Sequence, residues 1–446
     1  MPASAQSLPV PRDLELPLPL PEWMLVVMLV LSFLLHILFV NLTVGSSVLT
    51  LIYEFLGWRR GQSRFDALAH RIAETVTVNK SVAVVLGIGP LLCINLLYTI
   101  QFYSANTLTG HAWILIVPLV IAAFLLAYLH KYTWNRWSSG RWKVVHLSVG
   151  ALSTLLFLLI PFIFLSNINL MLFPDQWAEV RGFFSSLLVG NVFPRYFHFL
   201  CASLAISGLF FSGWFGRRNF PLAKLPGFTH AEMRRTGYRI AFRVTIAQFL
   251  VGPLVLLTLP EIGLSPQLYA IVLSGAGVGL LVLLMLRKEI RSPDERIGKS
   301  YVPICAAFTV IVLAMGTGRH IYRESALALH QEMVRQRTAE YAAHLADFNE
   351  KLAAGAIEMP VTGERLFQSC ASCHAKDKVL VGPPLTEIAR IYRDNPDGIV
   401  RWAMAPGKKR PGSQQMPSFA ALGPEKLRMI AVYMLELGAP NVGTGK

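Results

Sequence analysis

The sequence predicts an all-α protein: a polytopic membrane helical bundle of about eight spans with both termini outside the cytoplasm, followed by a small helical domain. Hydrophobic residues make up 54% of the chain and charged residues only 15%, a balance typical of membrane proteins. Apolar runs long enough to cross a bilayer recur as far as Gly316. Such runs must be helices in lipid, because unpaired backbone polar groups are too costly there. Beyond position 361 there are no further apolar runs of this length, and the chain contains a cysteine–histidine motif instead.

The predicted spans follow directly from the positions of the apolar runs. Several runs exceed the roughly 20 residues that a bilayer requires, so we expect some helices to tilt or to project from the membrane. The spans are 23–55, 82–101, 112–132, 144–172, 192–215, 240–259, 268–286 and 302–316.

Lysine and arginine are unequally distributed among the connections between spans. Those after the first, third, fifth and seventh spans are basic, whereas the intervening ones carry only Arg181. By the positive-inside rule the basic connections face the cytoplasm and both termini face outward. This accounts for most of the net charge of +15 without a nucleic-acid partner, for which we find no recognition pattern. The basic residues include Arg59, Arg60, Arg64, Arg71, Lys131, Arg136, Arg141, Lys143, Arg217, Arg218, Lys224, Arg234, Arg235, Arg287, Lys288, Arg291, Arg296 and Lys299.

The motif near the C-terminus is Cys370-Ala371-Ser372-Cys373-His374. C-x-x-C-H is the attachment sequence of a covalent c-type haem, in which the two thiols bond the haem and His374 is the proximal iron ligand. Two cysteines at this spacing also occur in zinc knuckles and redox dithiols. The adjacent histidine favours haem c.

The residues around this motif resemble the class I cytochrome c family. Gly363 and Phe367 open a helix into the motif, Gly382-Pro383-Pro384-Leu385 follows it, and Gln415-Met416-Pro417 comes later, before a closing helix at 429–437. The resemblance covers 361–446 and implies one covalent haem c with Met416 as distal ligand. A core role is the alternative for Met416, and Met404 is the competing methionine.

Histidines inside predicted spans are candidate axial ligands of haem b, since ionisable residues there are costly. The stretch from Leu34 to Gly45, which includes His36, resembles the first span of subunit I of the cytochrome bd quinol oxidases, and the match extends to Glu54. Lys143-Val144-Val145-His146 and Tyr196-Phe197-His198 match in the same order. This resemblance covers 23–322 and implies that His36 and His198 bind one or two haems b.

The sequence assigns other roles to the remaining histidines. His320, in Gly318-Arg319-His320-Ile321-Tyr322, is a haem ligand, a propionate partner or an interfacial residue. His111 is expected at the outer interface. For His130 and His146, near the inner face, structural or proton-handling roles are favoured over haem ligation. The histidines in polar segments, expected to be solvated, are His70, His230, His330 and His344.

The chain also departs from the oxidase family. Its third span has no Asp or Glu between Ala112 and Leu129, where that family has carboxylates near haem d. The methionine of the seventh span, Met285, lies at the inner end of that span. Spans six and seven are joined only by the short connection 260–267. We therefore expect no haem d and no standard bd quinol oxidase, and the second ligand of the His198 haem stays unassigned.

The predicted organisation has four parts. They are an extracytoplasmic tail (1–22), a transmembrane b-type cytochrome domain (23–318), a polar helical stalk (319–360) and a cytochrome c domain (361–446). The tail has no basic-led apolar core, so we do not expect a cleaved signal peptide. Cys93, Cys201 and Cys305 lie in apolar spans and are expected to be small buried hydrophobes.

Together these patterns predict a respiratory b/c-type cytochrome of the bacterial inner membrane, with its haem c domain on the periplasmic side. Its partner would be an extracytoplasmic redox protein or another respiratory subunit, with quinone as a possible substrate. Lys408, Lys409 and Arg410 form either a docking rim for an acidic partner or ordinary solvated surface. Two alternatives stay open: a terminal oxidase or nitric-oxide-reductase-like subunit fed by the haem c, and a non-catalytic membrane anchor for it.

Overall fold

The structure, a computed structural model, describes residues 13–354, 361–408 and 414–439. The regular elements within these ranges are all helices, and eight of them are long and apolar enough to cross a membrane. The predicted all-α membrane bundle is therefore confirmed. The helices up to position 353 are α1 (Glu22–Arg60), α2 (Ser63–Leu97), α3 (Thr99–Thr109), α4 (His111–Tyr132), α5 (Gly140–Leu170), α6 (Phe183–Ser186), α7 (Val192–Trp214), α8 (His230–Leu257), α9 (Pro266–Arg291) and α10 (Tyr301–Ala353), with short 3-10 helices at Pro174–Glu179, Leu222–Lys224 and Glu261–Gly263.

Several helices extend beyond the predicted spans; α8, for example, begins at His230 rather than at position 240, and α2 and α10 differ most. Helix α2 begins at Ser63 rather than at position 82, because its polar first half finds partners on neighbouring helices: Asp66, for example, bonds Lys143 and Trp134. The chain then bends at Tyr98 and continues as α3, whereas a single span to 101 was expected. Helix α10 runs without a break from the eighth span through the described part of the predicted stalk.

The described chain divides into two compact units, one of which comprises Asp13–Thr338. In this unit α1 packs against α2, α5 and α7, while α4 pairs with α5 and α8 pairs with α7 and α9. Large apolar side chains point outward, including Ile114 (71% exposed) and Leu250 (72% exposed). Such a surface is suited to contact lipid, since a soluble protein rarely leaves so much apolar area uncovered.

Glycine allows the closest helix crossings of the bundle. A Cβ on Gly45 of α1 would lie 2.2 Å from the carbonyl oxygen of Ser203 on α7, and one on Gly208 would lie 2.6 Å from the carbonyl oxygen of Gly237 on α8. Small residues at such crossings are typical of helices that pack within membranes.

The buried side of α1 contains many polar residues in its second half. Six buried polar positions lie there among apolar ones, and most of the hydroxyls bond backbone carbonyls one turn earlier, as Ser47 does with Thr43 and Thr50 with Ser46. These positions are Asn41, Thr43, Ser46, Ser47, Thr50 and Glu54.

The second unit contains a small helical domain between positions 361 and 439. Its helices are α11 (Gly363–Ala371), α12 (Leu385–Tyr392), α13 (Pro396–Met404) and α14 (Gly423–Gly438), with a 3-10 helix at Ala420–Leu422. Helix α14 packs against the other three. It crosses α11 closely, since a Cβ on Gly363 would lie 2.2 Å from the carbonyl oxygen of Met429, and Phe367 and Tyr433 are in contact beside this crossing.

We predict that Gly45→Ala destabilises the bundle by about 1–3 kcal/mol, because the added methyl group meets backbone atoms that cannot yield. Thermal unfolding of the detergent-solubilised protein, followed by tryptophan fluorescence, measures the effect. Gly277→Ala on α9 is the matched control, since a Cβ there meets nothing within 4 Å. Equal melting temperatures for the two variants would contradict the α1–α7 crossing.

Candidate functional site

The cysteine–histidine motif occupies the turn that ends α11. The backbone NH groups of Cys373 and His374 both donate to the carbonyl oxygen of Cys370, at 3.1 and 3.0 Å. This places the two cysteines and the histidine on one turn of helix. Both thiols are free and half-buried, so each is available to bond a group lying over this turn.

The ring of His374 is held in a defined orientation. Its Nδ1 donates to the carbonyl oxygen of Pro383 at 2.8 Å, and the side chain is largely buried. A Cβ on Gly382 would lie 2.3 Å from Cε1 of the ring, so the glycine makes room for the imidazole. Because Nδ1 carries the proton, the lone pair is on Nε2, the usual arrangement of a histidine that ligates a metal. These residues fit a covalent haem with His374 as an axial ligand.

The two methionines differ in their surroundings. Met416 is half-buried and packs against the core of the small domain, whereas Met404, at the end of α13, is 38% exposed. The segment after Met416 is tied to the end of α13: the Ser418 hydroxyl donates to the Met404 carbonyl oxygen at 2.7 Å, and the Phe419 NH donates to that of Ala403 at 2.9 Å. This favours Met416 as the second ligand. Of the basic cluster, Lys408 is described, and Lys409 and Arg410 lie outside the described residues.

His36 lies on α1 facing α2. Its Nδ1 donates to the carbonyl oxygen of Ala83 at 2.8 Å. Gly87 allows this approach, since a Cβ there would lie 2.9 Å from the imidazole Cε1. The ring is half-buried with its proton fixed on Nδ1, so Nε2 can offer a lone pair to haem iron, as His374 can.

His198 on α7 and His320 on α10 each have a buried Nδ1 with no hydrogen-bond partner within the described residues. The nearest acidic group to His320 is Glu324, at 3.8 Å from its Nδ1. A buried ring nitrogen without a partner is costly, and ligation of a metal would satisfy one nitrogen of each ring. Both residues therefore fit the haem-binding hypothesis.

Three arginines lie near these histidines and interact electrostatically with one another: Arg195, Arg319 and Arg323. Arg323 is buried and lies over the Tyr98 ring, and Arg195 donates to the Asn169 side-chain oxygen at 3.1 Å. Like charges held together in this way suit an anionic group such as the propionates of a haem. The sequence analysis identified only Arg319, within its motif, and the grouping of three depends on helix packing.

A second cluster, which the sequence did not predict as a unit, joins α1, α2, α4 and α5. Glu54 is fully buried; one of its carboxylate oxygens, Oε1, contacts Nζ of Lys143 at 2.7 Å and Nδ1 of His146 at 2.5 Å, and the other, Oε2, contacts Nε2 of His130 at 2.7 Å. Lys143 also donates to Asp66 at 2.7 Å. We refer to these five residues as the Glu54 cluster. The sequence had pointed to its members separately: Glu54 and His146 through the oxidase resemblance, and His130 and His146 as structural or proton-handling residues near the inner face.

The remaining histidines match the prediction of solvated side chains only in part. His344 is exposed, as expected, and His111 is exposed as well. The prediction was wrong for His70, His230 and His330, which are half-buried. His70 stacks on Trp134 with ring centroids 4.8 Å apart, and His330 bonds Gln101 at 3.2 Å.

An apolar helical bundle and a small helical domain with two cysteines and a histidine on one turn define a membrane protein of the cytochrome class. The chain is 35% identical over 81 residues to cytochrome c-551 from Pseudomonas denitrificans, an alignment that covers 17% of this chain and 98% of that protein. Over these 81 residues the chain belongs to the family of cytochrome c-551. No protein-family model matches the chain.

A solved structure resembles a much larger part of the chain. The bd oxidase from Geobacillus thermodenitrificans aligns with a TM-score of 0.53 and 13% identity, covering 75% of this chain and 98% of that one. At this identity the likeness concerns the fold alone. The helical arrangement that the sequence resemblance suggested is thus present.

We predict that Gly382→Ala lowers the haem content of the chain, because the new methyl group displaces the His374 ring from its bond to Pro383. The ratio of covalent haem to protein, measured by absorbance after purification, tests this. Gly407→Ala is the control, since its Cβ would meet only the Trp402 ring at an ordinary 3.4 Å. Full haem content in the Gly382 variant would contradict the packing described for His374.

Proposed function

We propose that this protein is a b/c-type cytochrome of a respiratory chain, which passes electrons between haem b in the membrane bundle and a covalent haem c outside the cytoplasm. The observation that carries the proposal is the Cys370–His374 turn, in which a buried imidazole is anchored through Nδ1 and presents Nε2. The family membership in cytochrome c-551 supports the c-type group, and the bd-oxidase fold supports a redox role for the bundle.

The small domain would hold one haem c. Cys370 and Cys373 would bond it, His374 would bind its iron, and Met416 is the second ligand that the packing favours. When bound, such a haem accepts or donates one electron at a time. The chain's own contribution is to fix the His374 ring through Pro383 and to keep Met416 packed against the apolar core of the small domain.

The bundle would hold one or two haems b through His36 and His198. Ala83 fixes the orientation of the His36 ring, and the His198 ring has a buried nitrogen that needs a partner. Arg195, Arg319 and Arg323 would neutralise the carboxylates of a haem beside His198, since guanidinium groups that repel one another are stabilised by an anionic partner. His320 is a further candidate ligand or propionate partner.

We place the haem c domain on the periplasmic side of a bacterial inner membrane. The support is the distribution of Lys and Arg, which are concentrated in the connections after α1, α4, α7 and α9. The positive-inside rule assigns these connections to the cytoplasm, which leaves α10 to end on the outer side. An external redox protein, or another subunit of a respiratory complex, would then exchange electrons with the haem c.

The ligand types also suggest a direction for the electrons. A methionine–histidine pair raises the potential of a haem relative to ligation by nitrogen alone. Electrons would therefore flow from the bundle to the small domain, with quinol as a candidate donor. The Glu54 cluster favours one alternative, a terminal oxidase or nitric-oxide-reductase-like subunit in which electrons flow inward, because such a reaction consumes protons as well as electrons.

We predict that His36→Ala and His198→Ala each remove b-type absorbance while the haem c content stays unchanged. Each substitution deletes the ring nitrogen that is proposed to bind the haem. Pyridine haemochrome assays on the purified variants measure both haem types. His344→Ala, at an exposed histidine on α10, is the control. Wild-type haem b content in both bundle variants would contradict the proposed ligands.

We further predict that Met416→Leu lowers the midpoint potential of the haem c, because a thioether ligand that raises the potential is lost. Met404→Leu should leave the potential unchanged, since Met404 lies on the exposed end of α13. Redox titration of the c-type absorbance compares the two variants. A lowered potential in the Met404 variant alone would assign the ligand to Met404 instead.

A further inference from the structure

The Glu54 cluster is almost closed to solvent. The Glu54 and His146 side chains are 0% exposed, Lys143 is 4% and His130 is 7%. Asp66 is the exception, with 33% of its side chain exposed. It is held in place by the Trp134 indole NH, which donates to its second oxygen at 3.0 Å. The cluster thus has a buried part and a single member in contact with water.

The two hydrogen bonds of His146 require one proton more than a neutral imidazole carries. Its Nε2 faces the carbonyl oxygen of His130 at 2.8 Å, and a carbonyl only accepts, so Nε2 carries a proton. Its Nδ1 faces Oε1 of Glu54 at 2.5 Å. A second proton must lie in that contact, because two lone pairs at this distance would repel. That proton resides on His146 as an imidazolium or on Glu54 as a carboxylic acid.

The charges of the Glu54 cluster also require one additional proton. Glu54 and Asp66 contribute two negative charges and Lys143 contributes one positive charge, so one further proton makes the cluster neutral. A net charge in this buried position would cost several kcal/mol. The donor atoms of Glu54, His130 and His146 lie within 4.8 Å of one another. A divalent metal ion there would nevertheless leave a net positive charge beside the Lys143 ammonium, which already contacts Glu54. A proton fits the site better.

Polar groups continue from the cluster into the bundle. A cavity of about 20 Å³ lies beside His130 and Gly150, which is enough for one water molecule. Hydroxyl groups line it from α1 and α5: Ser47, Thr50, Ser153 and Thr154. The hydroxyl of Ser46, on the same stretch of α1, is buried without a partner. A water molecule in this cavity would extend the polar path from His130 toward the middle of α1.

We propose that Glu54, His130 and His146 form a proton-binding site that holds one exchangeable proton and fills from the aqueous side through Asp66 and Lys143. The role of this site rests on the proposed function: the bound proton would compensate the charge of an electron that enters the bundle. The end at which α1 finishes is the one that the Lys and Arg distribution assigns to the cytoplasm, so the proton would come from that side. The charged and titratable groups around the site are Glu54, Asp66, His70, His130, Lys143 and His146.

The direct test is nitrogen-15 NMR of histidine-labelled, chemically reduced protein at pH 9, where solvated histidines are neutral. We expect one imidazolium signal per chain, or a protonated Glu54 in a parallel infrared spectrum, and its loss in Glu54→Gln. Glu289→Gln is the matched control, since Glu289 is equally buried but bonds the backbone NH groups of Gly298 and Ser300. If Glu54→Gln does not fold, His146→Gln should remove the imidazolium signal or, where the proton lies on Glu54, shift its carboxylic-acid band, because the variant removes the partner of Oε1.

Three results would overturn the proposal. In the wild type at pH 9, every histidine could be a neutral imidazole while Glu54 is a charged carboxylate. The proton signal could be unchanged in both Glu54→Gln and His146→Gln. A metal-shifted nitrogen signal that is lost in His146→Gln, with stoichiometric non-haem metal by elemental analysis, would show a metal site instead.

The route is tested by hydrogen–deuterium exchange of the same signal. Asp66→Asn should remove the signal or slow its exchange tenfold or more, because it takes away both a negative charge and the solvent-exposed member of the cluster. Asp294→Asn is the control, since Asp294 is 65% exposed and pairs with Arg235 away from the cluster. Equal exchange rates in the wild type and Asp66→Asn would exclude entry through Asp66.

The coupling to electrons has a separate readout. In the wild type the midpoint potential of haem b should fall as pH rises, by up to about 59 mV for each tenfold fall in proton concentration, and the slope should flatten in Glu54→Gln but not in Glu289→Gln. Equal slopes of potential against pH in the two variants would show that the site has no redox role. Absence of haem b in the wild type would instead refute the proposed function, while the NMR result would still decide whether the proton site exists.

Discussion

Polar side chains within a membrane bundle must find their partners inside the protein, because lipid offers none. This constraint accounts for most of what distinguishes the present bundle. Most buried hydroxyls of α1 bond backbone carbonyls, α2 packs against α1 and α4, and Glu54 is surrounded by three cationic or protonatable groups. At Nδ1 of His198 and His320 the described residues provide no partner, and we attribute this to the proposed haems.

The same reasoning separates two kinds of histidine in the chain. His36 and His374 each donate Nδ1–H to a backbone carbonyl and keep Nε2 free, the arrangement that suits an iron ligand. His146 uses both ring nitrogens within the protein, one toward a carbonyl and one toward a carboxylate. It is therefore fitted to hold a proton rather than a haem. Electron sites and a proton site would then occupy different levels of one bundle.

Much of this could be predicted from the sequence because its signals are local. Apolar run length gave the eight spans, and the spacing of Cys370, Cys373 and His374 gave the attachment turn. The Glu54 cluster could not be derived in this way, since its members are up to 92 residues apart and meet only through packing of four helices. The long polar start of α2 was missed for a related reason: apolar run length does not register a polar helix whose partners lie on other helices.

The central claim is that electrons move between haem b in the bundle and haem c in the small domain. Reduced-minus-oxidised, carbon monoxide and pyridine haemochrome spectra of the purified full chain in detergent test it most directly. The account predicts one haem c with one or two haems b per chain, none of which binds carbon monoxide. Haem c alone would contradict it and leave a membrane anchor for a cytochrome c, and a haem b or d that binds carbon monoxide would contradict it in favour of a terminal reductase.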